Sequence, residues 1–340
     1  MRRPDFRAPL ALAAAFVLGI SLVAAPRADA EPLKIRAAWI ATPASLIPIL
    51  FAHPGIAKHD GKSYQFEAIH FTSSPTQITA LASGDIEIGT LNFTSFPFAL
   101  LNAKLDLRII ADDTVDGYGD HATVLYKVRA DGPIKKVEDL KGRTLGVIGI
   151  GAATDIAMRT ELLKHGLHHP GDYNLIEVRP PNAKAMLLEQ KVDMIGIGLP
   201  FAYDPELVAK SRTLFSMKDA MGPSALSFWV ARADFIKAHR AALVDLMEDM
   251  VRAYHWYDDP ANHKEAVDIL ARETKQPAEQ LDGWAFTKKG IYRHPDGVPD
   301  LAMIQHDVDA MTTLGFIKDK LEIKPHMDLS MVEEADKRVK

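Results

Sequence analysis

The stretch Thr72–Phe98, TSSPTQITALASGDIEIGTLNFTSFPF, decides how the chain is read. From Gln77 to Ser83 the spacing puts Ile78, Leu81 and Ala82 on one helix face, and Gly84 follows as the C-cap. Ile86, Ile88 and Leu91 predict a short buried strand, and Thr94-Ser95 opens a second helix. Small hydroxyl side chains therefore stand at two successive helix entrances, Thr72-Ser73-Ser74 and Thr90–Ser95. Ser, Thr and Asn are ordinary N-caps, so capping alone accounts for them. The same positions are also the carboxyl ends of strands, where open α/β sheets bind ligands.

Working outward, Leu33–Ile40, Tyr64–Phe71 and Leu107–Ala111 read as further strands. An apolar helix is expected from Leu46, after the turn Thr42–Ser45. Strand and helix alternate through tight loops, the pattern of a parallel sheet with right-handed crossovers. Asp112–His121 (DDTVDGYGDH) is polar and Gly-bearing and breaks the alternation. It restarts with strands at Ala122–Val128, Thr144–Ile148, Leu175–Val178, Met194–Ile197 and Thr213–Ser216. Helices are expected at Asp155–His165 and Ala183–Gln190, and Ser227–Val230 reads as a strand returning to the first lobe. From Ala233 the chain is mostly helical.

One segment echoes another. Setting Asp85 on Asp193 aligns a helix end, an acid and an apolar strand in both places. These features predict an α/β chain of two doubly wound lobes. Lobe one takes residues 31–113 and 228–340, lobe two takes 118–226, and the crossings between them lie at 112–122 and 222–231. The helical C-terminal part is expected to pack on lobe one.

Residues 1–30 read as a secretory leader. Arg2, Arg3 and Arg7 form a basic start, Ala8–Ala25 is apolar, and Ala28-Asp29-Ala30 is a small-residue cleavage site. Cleavage after Ala30 places the mature chain in the periplasm. Four Arg and two Asp leave with the leader, so 40 basic and 45 acidic residues become 36 and 43, a net of −7. That balance argues against nucleic acid and anionic membrane surfaces as partners. There is no cysteine, so an exported chain of this size must hold itself together by its core.

Two further motifs carry a family resemblance: TSSPTQITALASGDIEIGT at 72–90 and DLKGRTLGV at 139–147. With the leader and the two-lobe pattern, the chain resembles the type II periplasmic substrate-binding proteins of ABC importers, in the branch that binds nitrate, sulfonates, taurine and thiamine precursors. The resemblance implies capture of a small ligand between the lobes, delivery to permease subunits in the inner membrane, a monomer, and no cofactor. Its pocket loops fall on Thr42–Ser45, Thr72–Pro75, Thr90 and Asn92, Asp112 and Asp113, Gly149–Thr154, and Pro200-Phe201.

The candidate ligand residues are Thr42, Ser45, Thr72, Ser73, Thr90, Asn92, Asp112, Gly149, Gly151, Ala152, Thr154, Arg179, Pro200 and Phe201. A helix N-terminus exposes unpaired N–H groups and holds carboxylate, sulfonate or phosphate without a cationic side chain. Gly149 and Gly151 would let a ligand approach the backbone there. A bulky residue at Gly151 is accordingly expected to weaken binding and spare the fold. Arg179 would clamp an acidic group bidentately, and Asp112 and Asp113 would meet a ligand ammonium. Trp39, Phe93, Phe96, Phe201, Tyr203 and Trp229 are candidate walls, each set against the ordinary role of a core ring.

The expected ligand is thus a small organic anion, a sulfonate or carboxylate with room for an aromatic group. A pyrimidine or amine-bearing ligand is the alternative. A periplasmic enzyme or a sensor on the same fold remain the other classes. No G-x-S-x-G, H-E-x-x-H, C-x-x-C or Walker sequence marks a catalytic centre. His165, His168 and His169 lack the spaced partners of a metal set.

Overall fold

The computed structural model describes Met1 and residues 31–340, so the leader read over residues 1–30 lies outside the described residues. The described strands form two five-stranded sheets. The first four are β1 (Leu33–Trp39), β2 (Tyr64–His70), β3 (Ile88–Leu91) and β4 (Leu107–Asp116). The next five are β5 (Leu125–Arg129), β6 (Thr144–Val147), β7 (Asn174–Glu177), β8 (Met194–Ile197) and β9 (Ser211–Ser216), and β10 spans Ser224–Arg232. The first sheet runs β2-β1-β3-β10-β4 and the second β7-β6-β8-β5-β9. Each holds three parallel strands and two joined antiparallel, so the sheets are mixed rather than wholly parallel.

Helices α1 (Ser74–Ser83) and α2 (Ser95–Leu101) belong to the first sheet's connections. Helices α3 (Ala153–Lys164), α4 (Pro180–Leu188), α5 (Pro205–Lys210) and α6 (Met217–Met221) belong to the second. The C-terminal part adds α7 (Ala233–Asp258), α8 (His263–Thr274), α9 (Ala278–Leu281), α10 (Leu301–Thr313) and α11 (Ser330–Val339). Strand alternation distributes β10 between two cores. Phe228 and Val230 enter one with α10, while Trp229 and Ala231 enter the other with α7 and α11. Most of the C-terminal part packs on the first sheet, and α10 also reaches α3, sharing a core with Met158 and Leu162. Among the described residues no helix is long and apolar enough to cross a membrane.

The echo between the two sheets is real in structure, but its register differs from the sequence alignment by two residues. Glu87, not Asp85, stands where Asp193 stands. The Glu87 N–H donates to Arg36 O at 3.0 Å and its carboxylate accepts from the Arg36 N–H at 2.7 Å. In the second sheet the Asp193 N–H donates to Thr144 O at 2.8 Å and its carboxylate accepts from the Thr144 N–H at 3.0 Å. In both, an acid just ahead of a strand (β3 or β8) bonds the backbone of its parallel neighbour, at mid-strand in β1 and at the first residue of β6. An arginine backs each: Arg36 donates Nε and Nη2 to Glu87, and Arg143 Nη1 lies 3.7 Å from Asp193. Asp85 instead accepts from the Ser83 hydroxyl at the end of α1.

Two other expectations change. The apolar helix from Leu46 is a run of turns through Ala52, bonded i to i−3 at Ile49 and Ala52. Pro48 has no N–H to continue a helix. The polar break at Asp112 is a strand: β4 runs on to Asp116, paired along its length with antiparallel β10. The sequence reads as loop because its side chains are polar, yet each has a partner inside. Asp112 accepts from His294, Asp113 from Ser227, and Asp116 from Thr123, while Thr114 donates to Ala44 O. Polar groups partnered in this way tolerate burial, although Asp112 Oδ1 and Asp116 Oδ2 have no partner among the described residues.

Candidate functional site

Helix α1 is held on the first sheet by Gln77, which is fully buried. Its Oε1 accepts from the Thr90 N–H at 2.9 Å and its Nε2 donates to Thr90 Oγ1 at 3.3 Å. Thr90 Oγ1 in turn donates to Ala38 O at 3.0 Å. Gly84 ends the helix in the left-handed region, φ 77°, returning its N–H to Ala80 O. The brace fixes the N-terminus of α1 at the carboxyl ends of β1 and β3. Ser73 is the N-cap residue, yet no side chain caps the helix; its hydroxyl meets Thr76 Oγ1 at 3.3 Å. At α2 the cap is Asn92, whose Oδ1 accepts from the N–H groups of Thr94 (3.2 Å) and Ser95 (2.8 Å). The ordinary capping role therefore holds at α2 and fails at α1, where the N–H groups of Ser74 and Thr76 are left open, Pro75 having none.

A cavity of about 200 Å³ opens at this edge. Its polar lining comes from Ser45, Ser74, Thr90, Asn92, Asp113 and Ser227. Asp113 is 1 % exposed; its Oδ2 accepts from Ser227 Oγ at 2.7 Å and its Oδ1 from Ser45 Oγ at 3.3 Å. Burial pushes its pKa up to about 6, and the Arg293 charge and the Ser227 hydroxyl hold it from rising further. Arg293 is itself buried and donates Nη2 to Pro43 O and Ala44 O, at 2.6 and 3.0 Å, supporting the Thr42–Ser45 turn from beneath.

The sequence-predicted residues divide. Ser45, Thr90 and Asn92 line the cavity, with the Thr90 hydroxyl and the Asn92 carbonyl already spent inside the fold. Ser73 neighbours it through Ser74. Thr72 is exposed and off the cavity, and the Thr42 hydroxyl is buried without a partner. Asp112 turns away: its Oδ2 accepts from the His294 N–H at 2.8 Å and lies 3.1 Å from His294 Nδ1. Burial lowers the His294 pKa, but the Asp112 hydrogen bond and charge outweigh it and the net shift is upward. Ser227 is the residue the candidate set lacked, and Asp113, expected with Asp112 to meet a ligand ammonium, is the one of the two acids that lines the cavity. A one-residue strand register separates Asp113 from Asp112, and only the bulged pairing with β10 decides which side faces the cavity.

The turn Gly149–Thr154 leads into α3 as expected; two of its donors are engaged by carboxylates, while the N–H groups of Ala153 and Thr154 at the uncapped start of α3 are not. The Ile150 N–H donates to Glu177 Oε1 and the Gly151 N–H to Asp155 Oδ2, both at 2.9 Å. Two of the chain's own carboxylates thus take the backbone donors on either side of Gly151 that were expected to meet a ligand anion. A Cβ on Gly151, at φ 79°, would stand 3.4 Å from the ring of Phe316. Ala152 is the N-cap of α3 with no side-chain cap, and Thr154 is buried with its hydroxyl unpartnered. Arg179 is exposed at the N-cap of α4, outside the cavity. Pro200 and Phe201 line a separate groove of about 510 Å³, with Tyr203 from their own segment and Gln280 and Trp284 from the C-terminal part. Phe93, Phe96 and Trp229 are core rings.

Two mixed sheets of matching strand order, joined through β4 and β10 and carrying a cavity at the strand ends, define the two-lobed periplasmic-binding-protein fold. The chain belongs to the NMT1-like family, whose model matches residues 28–271. It is 25% identical over 304 residues to the taurine-binding periplasmic protein of Escherichia coli K12, covering 86% of this chain and 84% of that protein. The structure matches the periplasmic aliphatic sulphonate binding protein SsuA of Escherichia coli with a TM-score of 0.72 at 18% identity, over 87% of this chain and 92% of that one. The desulfurization enzyme DSZB shares the fold, with a TM-score of 0.66 at 15% identity over 91% of this chain and all (100%) of that one.

Proposed function

We propose that this protein is the solute-binding component of an ABC importer. It works as a periplasmic monomer that captures a small organic anion, a sulfonate or carboxylate, and passes it to permease subunits in the inner membrane. The observation that carries the reading is the cavity at the carboxyl edge of the first sheet, where a few polar groups are set in a mainly apolar wall beside the uncapped N-terminus of α1. An uncapped helix start offers N–H donors and a partial positive charge of about half a unit to an acidic group. Micromolar capture needs about 8 kcal/mol. Three or four charge-assisted hydrogen bonds at roughly 1.5–3 kcal/mol each supply that gross figure before association costs. The backbone donors of α1, the Ser74 hydroxyl and the Asn92 amide are the groups available for them.

The paired crossings β4 and β10 support closure of one lobe on the other as the delivery step, with the ligand favouring the closed population. The family relationship to a taurine-binding periplasmic protein supports the ligand class. Thermal denaturation of the purified protein with taurine, ethanesulfonate, propionate and benzoate tests the reading. A rise in melting temperature with at least one of these anions is expected. No rise with any of them removes the anion reading. An amine-bearing or pyrimidine ligand is the second reading, and the acid in the cavity wall, Asp113, favours it.

A further inference from the structure

Two adjacent acids in β4 are both buried, and the structure treats them differently. Asp112 is answered from within: His294 supplies an N–H and an imidazole on the side away from the cavity. Asp113 lines the cavity and is the one ionisable side chain among its lining residues. The hydroxyls of Ser45 and Ser227 donate to it and the Trp229 indole adds a weaker pull, while among the described residues no Lys, Arg or His lies within 4.0 Å. Arg293, the cation that acts on it at longer range, directs its Nη2 to the carbonyls of Pro43 and Ala44. A carboxylate has about four acceptor sites, so these donors leave room for a further one. A buried carboxylate without a cation is costly, and a partner brought by the ligand removes that cost.

We infer that Asp113 reads a nitrogen-borne hydrogen on the ligand, so that the captured anion also carries a primary amine or a comparable N–H donor. This rests on the proposed solute-binding role and specifies its ligand. The two charges then have separate seats in one cavity: the acidic group at the start of α1 and the amine at Asp113. A volume of about 200 Å³ is roughly seven water-sized groups at 30 Å³ each, which suits a compact zwitterion. Burial keeps the Asp113 carboxyl titrating near 6, so it is mostly ionised at neutral pH and able to accept a charged donor.

The test is calorimetric titration of the purified protein with matched probe pairs: taurine against ethanesulfonate, and β-alanine against propionate. The wild-type protein is expected to bind the amine member of a pair roughly tenfold tighter or more, the factor of one charge-assisted hydrogen bond. In Asp113→Asn that ratio is expected to collapse toward one. A wild-type control covers a variant that fails to fold: lowering the pH from about 7.5 to about 5 should shrink the taurine preference as Asp113 takes up a proton. Equal affinity for both members of each pair, or a preference unchanged by both perturbations, overturns the inference and leaves the solute-binding role standing. No heat with any of the four probes overturns that role and the inference together.

Discussion

Asp307 ties α10 to the β10 crossing, and its ionisation gives the protein a stability that rises on mild acidification. Its Oδ2 accepts from the Ala225 N–H at 2.8 Å, while His306 Nδ1 stands 3.7 Å from Oδ1. Burial pushes its pKa up to about 6, against smaller downward pulls from His306, the Ala225 N–H and Ser224. An acid whose folded pKa lies above its unfolded value binds more protons when folded, so stability falls as pH rises through the folded pKa. With the unfolded value near 3.9, the folded state gains about 1.4 kcal/mol between roughly pH 7.5 and pH 5 from this one group. Asp113, also near 6, should add a similar amount, and the raised His294 and His306 act in the same direction. His326, lowered mainly by burial, opposes them.

The perturbation is Asp307→Asn, which can keep the acceptor for Ala225 and removes the titration. Urea denaturation at the two pH values gives the difference in unfolding free energy for each protein. Taking the difference cancels the packing cost of the new amide. The wild-type difference should exceed that of the variant by about 1.4 kcal/mol. An equal difference in both proteins, or a wild-type stability that falls on acidification across this window, would refute the reasoning.

Two further outcomes follow from the frame and the second-lobe turn. Glu87→Ala removes the acid that binds the Arg36 backbone and guanidinium. A loss of about 2 kcal/mol is expected, discounted for Arg36 reaching water, and an unchanged urea midpoint would contradict the pairing. Gly151→Val forces a β-branched residue to a positive φ against Phe316. It should cost roughly 1–3 kcal/mol of stability and leave the taurine dissociation constant within error, whereas a large rise in that constant would return the turn to the binding site.

Much of the frame was legible because apolar spacing and punctuation act locally. Leu81 and Gly84 mark α1, and Met194–Ile197 matches β8 residue for residue. What escaped were features set by partners distant in sequence. Asp112–Asp116 reads as loop until His294, Ser227 and Thr123 are in place to satisfy it. The choice of Asp113 over Asp112 depends on a bulged pairing with a strand more than a hundred residues away. The echo misregistered because Asp85 and Glu87 are equally acidic, and only the Arg36 ladder contact separates them. At Gly149–Gly151 the small residues suggested an open anion seat. Glu177 and Asp155 take the Ile150 and Gly151 donors there, and nothing in the local spacing announces the contact with Glu177.

The central claim is that the solute sits at the carboxyl edge of the first sheet. Hydrogen–deuterium exchange of the purified protein with and without saturating taurine tests it most directly. The account predicts slowed exchange at Ala44-Ser45, at the Ser74–Gln77 start of α1, and across Leu91-Asn92 and Asp113-Thr114, the backbone around the cavity. Protection confined to Phe201–Asp204 and Gln276–Trp284, the wall of the larger groove, or no protection at all, would contradict it.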